Sequence, residues 1–518
     1  MGIRACVRLT SIGAAMVACA ALPVSGHSED APPADRSARL EEVVISASRI
    51  PGVTLDADRF PGHATVITAE QITQMAPATL QDALARSAGV AFSDQQGFGL
   101  ASDSTVNLRG IINSSRSNVL VLVDGIRQNR LTGDDVHWQS IPVEQVQRIE
   151  IIRGGGGTSY GEGALAGVIN IVTVPETERL LETEYGAEAG SFGWQKHTIA
   201  AHGRSGHLTY AIDASRRLVD GYRESSASRS SAVALHGGFE IAPGLRSALH
   251  VRHSEDTTGF PGGLTLAQTE ARRIQTNAFH GHNVNELDLV SLDVTTGPWD
   301  GWTALSTLFW KRWVQTSEDS TAFGAFTNTP SRGMNLRLAH QSEGAALKHL
   351  LTTGVELMDD KAVTGDRDAF AGQDSESHRK GYGLYAEEML TLDRTTLTAG
   401  VRFDQFRYQE ALTFPDFIGT LRFQGWSPKL GLTQVVVPDR LSFFASYARP
   451  FKAPNVDDLS VRINELNTFS FRGNAGVQPQ QADAYELGGR WSHPNGTATA
   501  AWFYTRIDDE ILFNRLTF

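Results

Sequence analysis

The sequence predicts a small α+β domain over residues 55–175 followed by an antiparallel transmembrane β-barrel over residues 176–518, and three observations carry that reading. Beyond the N-terminus there is no run of about 18 apolar residues, which excludes transmembrane helices, so a membrane location requires strands. Helical periodicity is confined to the region before about residue 175. From about residue 180 onward, segments of roughly 10 residues alternate apolar and polar side chains, the pattern of a wall with lipid on one face and a lumen on the other.

Arg4 and Arg8 precede an apolar stretch from Leu9 to Val24, with small residues around Ala18-Cys19-Ala20 and Val24-Ser25-Gly26 as cleavage sites, so residues 1–26 read as a secretory signal peptide. A lipoprotein signal through Met16-Val17-Ala18-Cys19 fits less well, because Met stands where Leu is usual. Both cysteines, Cys6 and Cys19, lie inside the signal. After ordinary cleavage the chain carries no thiol, which suits an oxidising envelope and excludes disulfides, Cys-zinc sites and cysteine nucleophiles. A net charge of −12 with no basic run argues against nucleic acid as a partner.

Residues 27–54 form a linker. Its first part, HSEDAPPADRSARL (27–40), is polar and contains proline, whereas EEVVISASRIP (41–51) is a short β-prone run at the edge of the first domain. Side chains there alternate, Val43, Ile45 and Ala47 on one side with Val44 and Ser46 on the other. With no sequence neighbour to pair with, its backbone donors and acceptors are open to strand addition by another protein.

In the α+β domain, Thr68-Ala69-Glu70-Gln71 is a capping box ahead of Ile72, and TLQDALAR gives a second short amphipathic turn, Leu80 to Leu84, stopped at Ser87-Ala88-Gly89. VNLRG (106–110), NVLVLVDGI (118–126), VQRIEIIRG (146–154) and GVINIVT (167–173) read as apolar strands, with Asp124-Gly125 as a tight turn. Gly154 to Gly157, with Gly161, Gly163 and Gly167, lack the GK[ST] ending of a phosphate loop and read as tight backbone turns.

The barrel strands are read from parity. In TTLTAGVRFDQF, Leu397, Ala399, Val401 and Phe403 share one face, opposite Thr398, Gly400, Arg402 and Asp404. In AYELGGRW, Tyr485, Leu487 and Trp491 oppose Glu486, Gly488 and Arg490. Trp302, Trp310, Trp313, Tyr382, Tyr385, Tyr447, Trp491, Trp502 and Tyr504 are expected in interface girdles. Polar stretches at 254–282, 316–333, 359–380 and 449–481 are expected as long outward loops. A soluble β-sandwich with one wet face is the competing architecture, but sandwiches do not usually run through so many segments with long polar excursions.

These residues resemble the TonB-dependent outer-membrane receptors. The resemblance rests on EEVVISASR, VNLRG, VLVDGIRQN, the run IPVEQVQRIEIIRGGGGTSYGEGALAGVINIVT, YARPFKAPNVDDL, YELGGRW and FYTRIDDEILFN, and covers nearly everything after the linker. It implies that residues 55–175 are a plug domain inside the barrel, ordinarily of twenty-two strands. It implies that Glu42, Val43, Val44, Ile45, Ser46, Ala47 and Ser48 are a TonB box facing the periplasm, with Ser46 where the family often shows Thr. The implied partners are a TonB-type energy-transducing protein of the inner membrane, outer-membrane lipid, and a metal-chelate or cofactor ligand. A ferric siderophore leads as ligand, with haem, cobalamin or another large cofactor behind, and Phe323 and Phe326 are loop aromatics that could meet any of them. Plug arginines in the family stand against barrel glutamates, which points to Arg109 and Arg153, with Glu486 as the partner on the luminal side; a solvated plug edge is the alternative for each arginine.

The chain departs from the family in length. After residue 175, 343 residues remain (518 − 175), and twenty-two strands of about 10 residues would leave too little for the loops. About fifteen strands fit, so the barrel is expected to be incomplete, the sequence being a fragment of a longer product rather than a smaller closed barrel. No cofactor, metal site or catalysis is expected. His250 with His253 and His280 with His282 have no HExxH or Cys partner, and no Ser-His-Asp or paired-carboxylate spacing stands out. Two other classes remain: a passive porin-like channel, for which residues 41–175 are dispensable to closure, and a secreted enzyme on a sandwich fold.

Overall fold

The computed structural model describes residues 44–45, 49–50, 53, 55–93, 104–111, 117–173, 177–277, 280–319, 324–344, 347–366, 375–412, 418–459, 461–463, 470–472, 474, 476–493 and 496–512. The signal peptide, most of the linker, Glu42, Val43, Ser46, Ala47 and Ser48 of the box, and Phe323 lie outside the described residues.

The two described box residues, β1 (Val44–Ile45), form an antiparallel ladder with β2 (Leu55–Asp56), Val44 opposite Asp56 and Ile45 opposite Leu55. This corrects the expectation of a strand with no neighbour. The partner is the first two residues of the following domain, ten residues on from Ile45, and it occupies one edge of β1 while that two-stranded sheet adds no third strand among the described residues.

The plug domain continues with β3 (Ala64–Thr68), α1 (Ala69–Met75), α2 (Leu80–Ala85), β4 (Val90–Ser93), β5 (Thr105–Leu108), β6 (Val119–Val123), β7 (Ile126–Arg127), β8 (Arg148–Arg153), α3 (Gly157–Tyr160) and β9 (Gly167–Val172). Thr68 caps α1 and Thr79 caps α2, each closed reciprocally by the side chain three residues on, Gln71 and Asp82, which satisfies the first free N–H groups of helices this short. The sheet order is β3-β8-β9-β6-β7, with β6 and β9 parallel and the other pairs antiparallel. Every residue of β6 is buried, so its sequence VLVLV does not alternate. Val119, Val121, Ile151 and Ile169 face the helices through Ile72 and Leu84, while Leu120, Leu122 and Val168 face Phe60 and Tyr160. Asp124 and Gly125, both with positive φ (49° and 76°), make the tight β6–β7 turn.

Residues from Glu182 to Asp508 supply the 17 strand segments of one antiparallel sheet. Two staves are each interrupted once: Ile418–Trp426 and Lys429–Val437 both pair with Thr395–Leu412, and Leu441–Ala448 and Phe451–Lys452 both pair with Gln480–His493. Seventeen segments less those two interruptions leave fifteen staves. The first strand, Glu182–Ala189, and the last, Gly496–Asp508, are exposed along nearly their whole length and are not hydrogen-bonded to each other among the described residues.

Parity assigns the two faces. Leu397 and Val401 are exposed on the outer face, while Thr398, Arg402 and Asp404 are buried on the inner one, and Tyr485, Leu487 and Trp491 stand opposite buried Glu486 and Arg490. Two girdle expectations fail: Trp313 and Tyr385 are buried on the inner face, Trp313 stacked on His137 and close beneath Arg130 of the plug. Each lies three residues from an outward aromatic, Trp310 and Tyr382, and an odd step along a strand reverses the face.

Turns alternate in length. One end of the sheet carries two-residue turns such as 206–207, 243–244, 300–301 and 393–394, and the other carries long connections such as 261–280 and 453–479. The predicted loops at 316–333 and 359–380 are mostly strand: Trp302–Asp319 and Gly324–Glu343 run through the first, and Leu347–Asp366 and Ser375–Leu392 through the second. Strands of 18 and 20 residues are about twice what a tilted strand needs to cross a bilayer, so their distal halves stand in water on the outer side and read as polar. The stretch 254–282 is likewise strand to Phe260 and again from Gly281, with a short helix, Leu266–Ala271, between.

Candidate functional site

The inner faces of the staves hold the plug through polar and ionic contacts, in contrast to the plug's own apolar core. Three groups of contacts follow its length.

Nearest the box, Arg49 is buried, forms an ion pair with Glu356, donates to the Tyr160 carbonyl at 3.4 Å and lies over the Tyr160 ring. Glu356 is shared: Arg402 reaches its other oxygen at 2.7 Å and grips Asp404 at 2.8 Å. Ile50 and Val53 pack on Leu305, Ala339, Leu350 and Met389 of the sheet. The chain immediately after residues 42–48 is therefore anchored to the inner face before the rest of the plug begins. Sequence reasoning quoted Arg49 within the box segment but assigned it no role; only its separation of 307 residues from Glu356 hides the pairing.

At the short-turn end, Arg109 Nη2 lies 2.6 Å from Glu486 Oε1, both side chains 5% exposed. The same carboxylate oxygen accepts the backbone N–H of His63 at 3.1 Å, and the Arg109 guanidinium sits 4.5 Å from the Phe503 ring centroid. Arg109, with φ 56°, stands immediately after β5, which pairs only with β4, and its side chain reaches the staves. Gly154, with φ +83°, leaves the space the pair needs: a Cβ there would lie 3.2 Å from Arg109 Nη1 and 3.3 Å from Glu486 Oε2. Arg490 completes the group from the sheet side, donating to the carbonyls of Phe60, at 2.8 Å, and Gly62.

Arg153 departs from the pairing expectation. It donates to Thr65 Oγ1 at 2.7 Å and to the Ala88 carbonyl at 2.8 Å, and makes no ion pair with Glu486. The physical reason is that Arg109 already fills the carboxylate, while the Ala88 carbonyl in the turn between α2 and β4 and the Thr65 hydroxyl lie within reach inside the plug. Burial and the neighbouring Arg109 push the Arg153 guanidinium down to about 10, so it stays cationic at neutral pH.

The third group lies farther out. Glu162 bridges Arg127 of the plug and Arg379 of the sheet (3.3 Å), which also holds Asp360 at 2.6 Å. Lys452 joins Asp134 at 2.9 Å and the Ser117 carbonyl at 2.8 Å, and buried His137 meets Asp256 at 2.9 Å. Below them Ser159 and Lys429 share Glu387, at 2.8 and 3.0 Å. Together these contacts touch staves from Leu245–Phe260 round to Gln480–His493, so the plug sits within the curve of the sheet.

His63 gives this interface a pH dependence. Burial, then the charges of Arg153 and Arg109, push its imidazole from 6.5 down to about 4. Below pH 6.5 the unfolded chain takes up a proton that the folded plug refuses, so stability present above pH 6.5 is lost as pH falls toward about 4. The midpoint of plug unfolding in detergent is expected to fall across that interval, and the His63→Gln variant to lose that part of the fall.

The histidine pairs do not converge. His250 faces inward against His236 and Asp293, whereas His253 faces outward to Asp288, and His282 pairs with Glu318. His253, Glu286 and Asp288 bring ligand atoms within 4.8 Å of one another on the outer surface.

Residues 56–168 match the family model of the TonB-dependent receptor plug domain, and residues 203–518 match that of the TonB-dependent receptor-like beta-barrel. The vitamin B12 transporter BtuB of Vibrio vulnificus (strain YJ016) is 26% identical over 479 residues, covering 91% of this chain and 71% of that protein. The ferric enterobactin receptor of Pseudomonas aeruginosa is 25% identical over 539 residues, covering 88% of this chain and 68% of its own. Among solved structures, the unliganded ferric citrate transporter FecA superposes with a TM-score of 0.75 at 18% identity over 89% of this chain and 72% of that one, which shows a shared fold. These relatives are transporters and receptors rather than enzymes, and with a plug domain lodged inside a membrane-type sheet, the chain belongs to the TonB-dependent receptors of the outer membrane.

Proposed function

We propose that this receptor takes up a ferric siderophore actively, with residues 42–48 as the docking strand for a TonB-type protein of the inner membrane. The supporting observation is the order of parts along the chain: a two-residue strand, then the Arg49–Glu356 anchor, then a plug held in the lumen by ion pairs. A filled lumen admits no passive flux of a large chelate, and the chain carries no nucleotide-binding motif, so the work comes from a partner. Strand addition to β1 supplies a row of main-chain hydrogen bonds through which tension is carried. That tension meets Arg49, Ile50 and Val53 first, then the Arg109–Glu486 contact. Buried ion pairs exchange against hydration at small net cost compared with apolar burial, so the plug–sheet seam gives way while the plug's Val/Ile sheet core stays intact.

The substrate reading draws on relatives whose names specify ferric enterobactin, ferric citrate and ferric yersiniabactin, with vitamin B12 and hemin also among them. The test is growth of a host lacking its own siderophore, haem and cobalamin receptors, carrying this gene, and supplied with one nutrient at a time. Rescue by a ferric siderophore supports the reading. Rescue by haem or cobalamin alone overturns the substrate, and rescue that survives loss of residues 42–48 overturns the energised mechanism.

A further inference from the structure

We propose that Lys380, Arg407 and Arg422 on the outer face of the sheet form a binding site for the phosphate groups of outer-leaflet lipid headgroups. The three are direct cross-strand neighbours, Lys380 opposite Arg407 and Arg407 opposite Arg422. All three are exposed, while the residues beside them in sequence, Arg379, Phe406, Tyr408 and Phe423, are buried toward the lumen, so the cations point outward. Directly opposed side chains in an antiparallel sheet start about 5 Å apart at Cβ, and like charges so placed repel. Among the described residues none of the three makes an ion pair or hydrogen bond through its side chain. The carboxylate across the rung from Lys380 is Asp359, and it is already held by Arg332 at 2.8 Å and by His378. The rung thus sets four cations against one carboxylate in a chain whose net charge is −12. Among the described residues no other carboxylate serves it as a counterion.

Its height selects the counterion. On the same three strands, Tyr382, Phe403 and Trp426 point outward, two, four and four residues nearer the short-turn end than Lys380, Arg407 and Arg422. Beyond them in the same direction come exposed Leu384 and Val401. Outward aromatics bordering an aliphatic band mark the edge of the hydrocarbon layer. A rise of about 3.4 Å per residue on a tilted strand puts the cations about 5–10 Å past that edge. This is the phosphate layer, and it lies on the side of the long connections, which is the outer leaflet. A soluble anion would need no such alignment with the aromatic row.

The full chain, purified from outer membranes in mild detergent, tests this by native mass spectrometry and phosphorus content. The wild type is expected to retain a phosphorylated lipid, and the triple variant Lys380→Gln, Arg407→Gln, Arg422→Gln to retain about tenfold less. The charge-preserving triple, Lys380→Arg, Arg407→Lys, Arg422→Lys, is expected to keep it. Delipidated wild type is then offered lipid A before and after removal of its phosphates, with and without millimolar inorganic phosphate. Binding of the phosphorylated form alone, undisturbed by inorganic phosphate, supports the site independently of whether any variant folds. Equal binding of the dephosphorylated lipid, displacement by inorganic phosphate, or unchanged retention by a folded glutamine variant overturns it.

Discussion

Replacing Ile45 by proline is expected to reduce energised uptake to background while ligand binding to de-energised cells stays within about twofold of the parent. Proline removes one N–H donor and fixes φ, so a partner strand laid along β1 loses a ladder bond and its extended template at the centre of the box. The ladder that β1 makes with β2 supplies a built-in control. Ile45 stands opposite Leu55, so Leu55→Pro disrupts the same internal pairing without altering the box. If the box serves as a docking strand, Leu55→Pro retains uptake and Ile45→Pro loses it. Equal loss in both would mean that the internal hairpin, not a partner, is what the residues are for, and uptake by Ile45→Pro above about one tenth of the parent would remove the box from the mechanism altogether. Uptake and binding are read with the same radiolabelled chelate, whichever the growth assay identifies.

Parity made much of the sheet legible, because a strand with lipid on one side and a filled lumen on the other leaves a strict two-residue signature. Leu397 and Arg402 show it, and so do Tyr485 and Glu486. The same rule read more strictly would have turned Trp313 and Tyr385 inward, since each is an odd step from an outward aromatic. Polar strand beyond the lipid carries no such signature. Gly324–Glu343 has water outside and hydrophilic groups inside over its first half, and its composition is that of a loop. Periodicity does not show which stave faces which plug residue: Arg49 meets Glu356 across 307 positions with no sequence signal, and Arg109 opposite Glu486, across 377, could be named only through the family resemblance. Arg153 illustrates the converse, a cation in a matching motif whose partners are a hydroxyl and a carbonyl within its own domain.

Neutralising Glu486 is expected to loosen the plug more than neutralising Arg109. In Arg109→Gln the carboxylate loses its 2.6 Å partner but keeps the His63 N–H, and Arg153 remains close enough to influence it. In Glu486→Gln, Arg109 is left buried against the Phe503 ring, and Arg153 loses the carboxylate that offsets the pull of burial and of Arg109. Breaking a buried pair from one side costs about 3–5 kcal/mol, and the Glu486 variant belongs at the upper end because two guanidinium groups lose their compensation. The double variant, with two amides able to bond each other, and with Arg153 relieved of the Arg109 charge as well as deprived of Glu486, is expected to recover most of the loss. Its unfolding midpoint in detergent should therefore exceed that of either single variant, with a coupling of about 2–3 kcal/mol in the cycle. Whole cells should follow the same order in their sensitivity to an antibiotic too large for porins, since a plug that leaves its seat opens the lumen. Losses that add to within about 0.5 kcal/mol would show that Arg109 and Glu486 act independently, and a seam built from uncoupled contacts would have no latch at this end for tension to release.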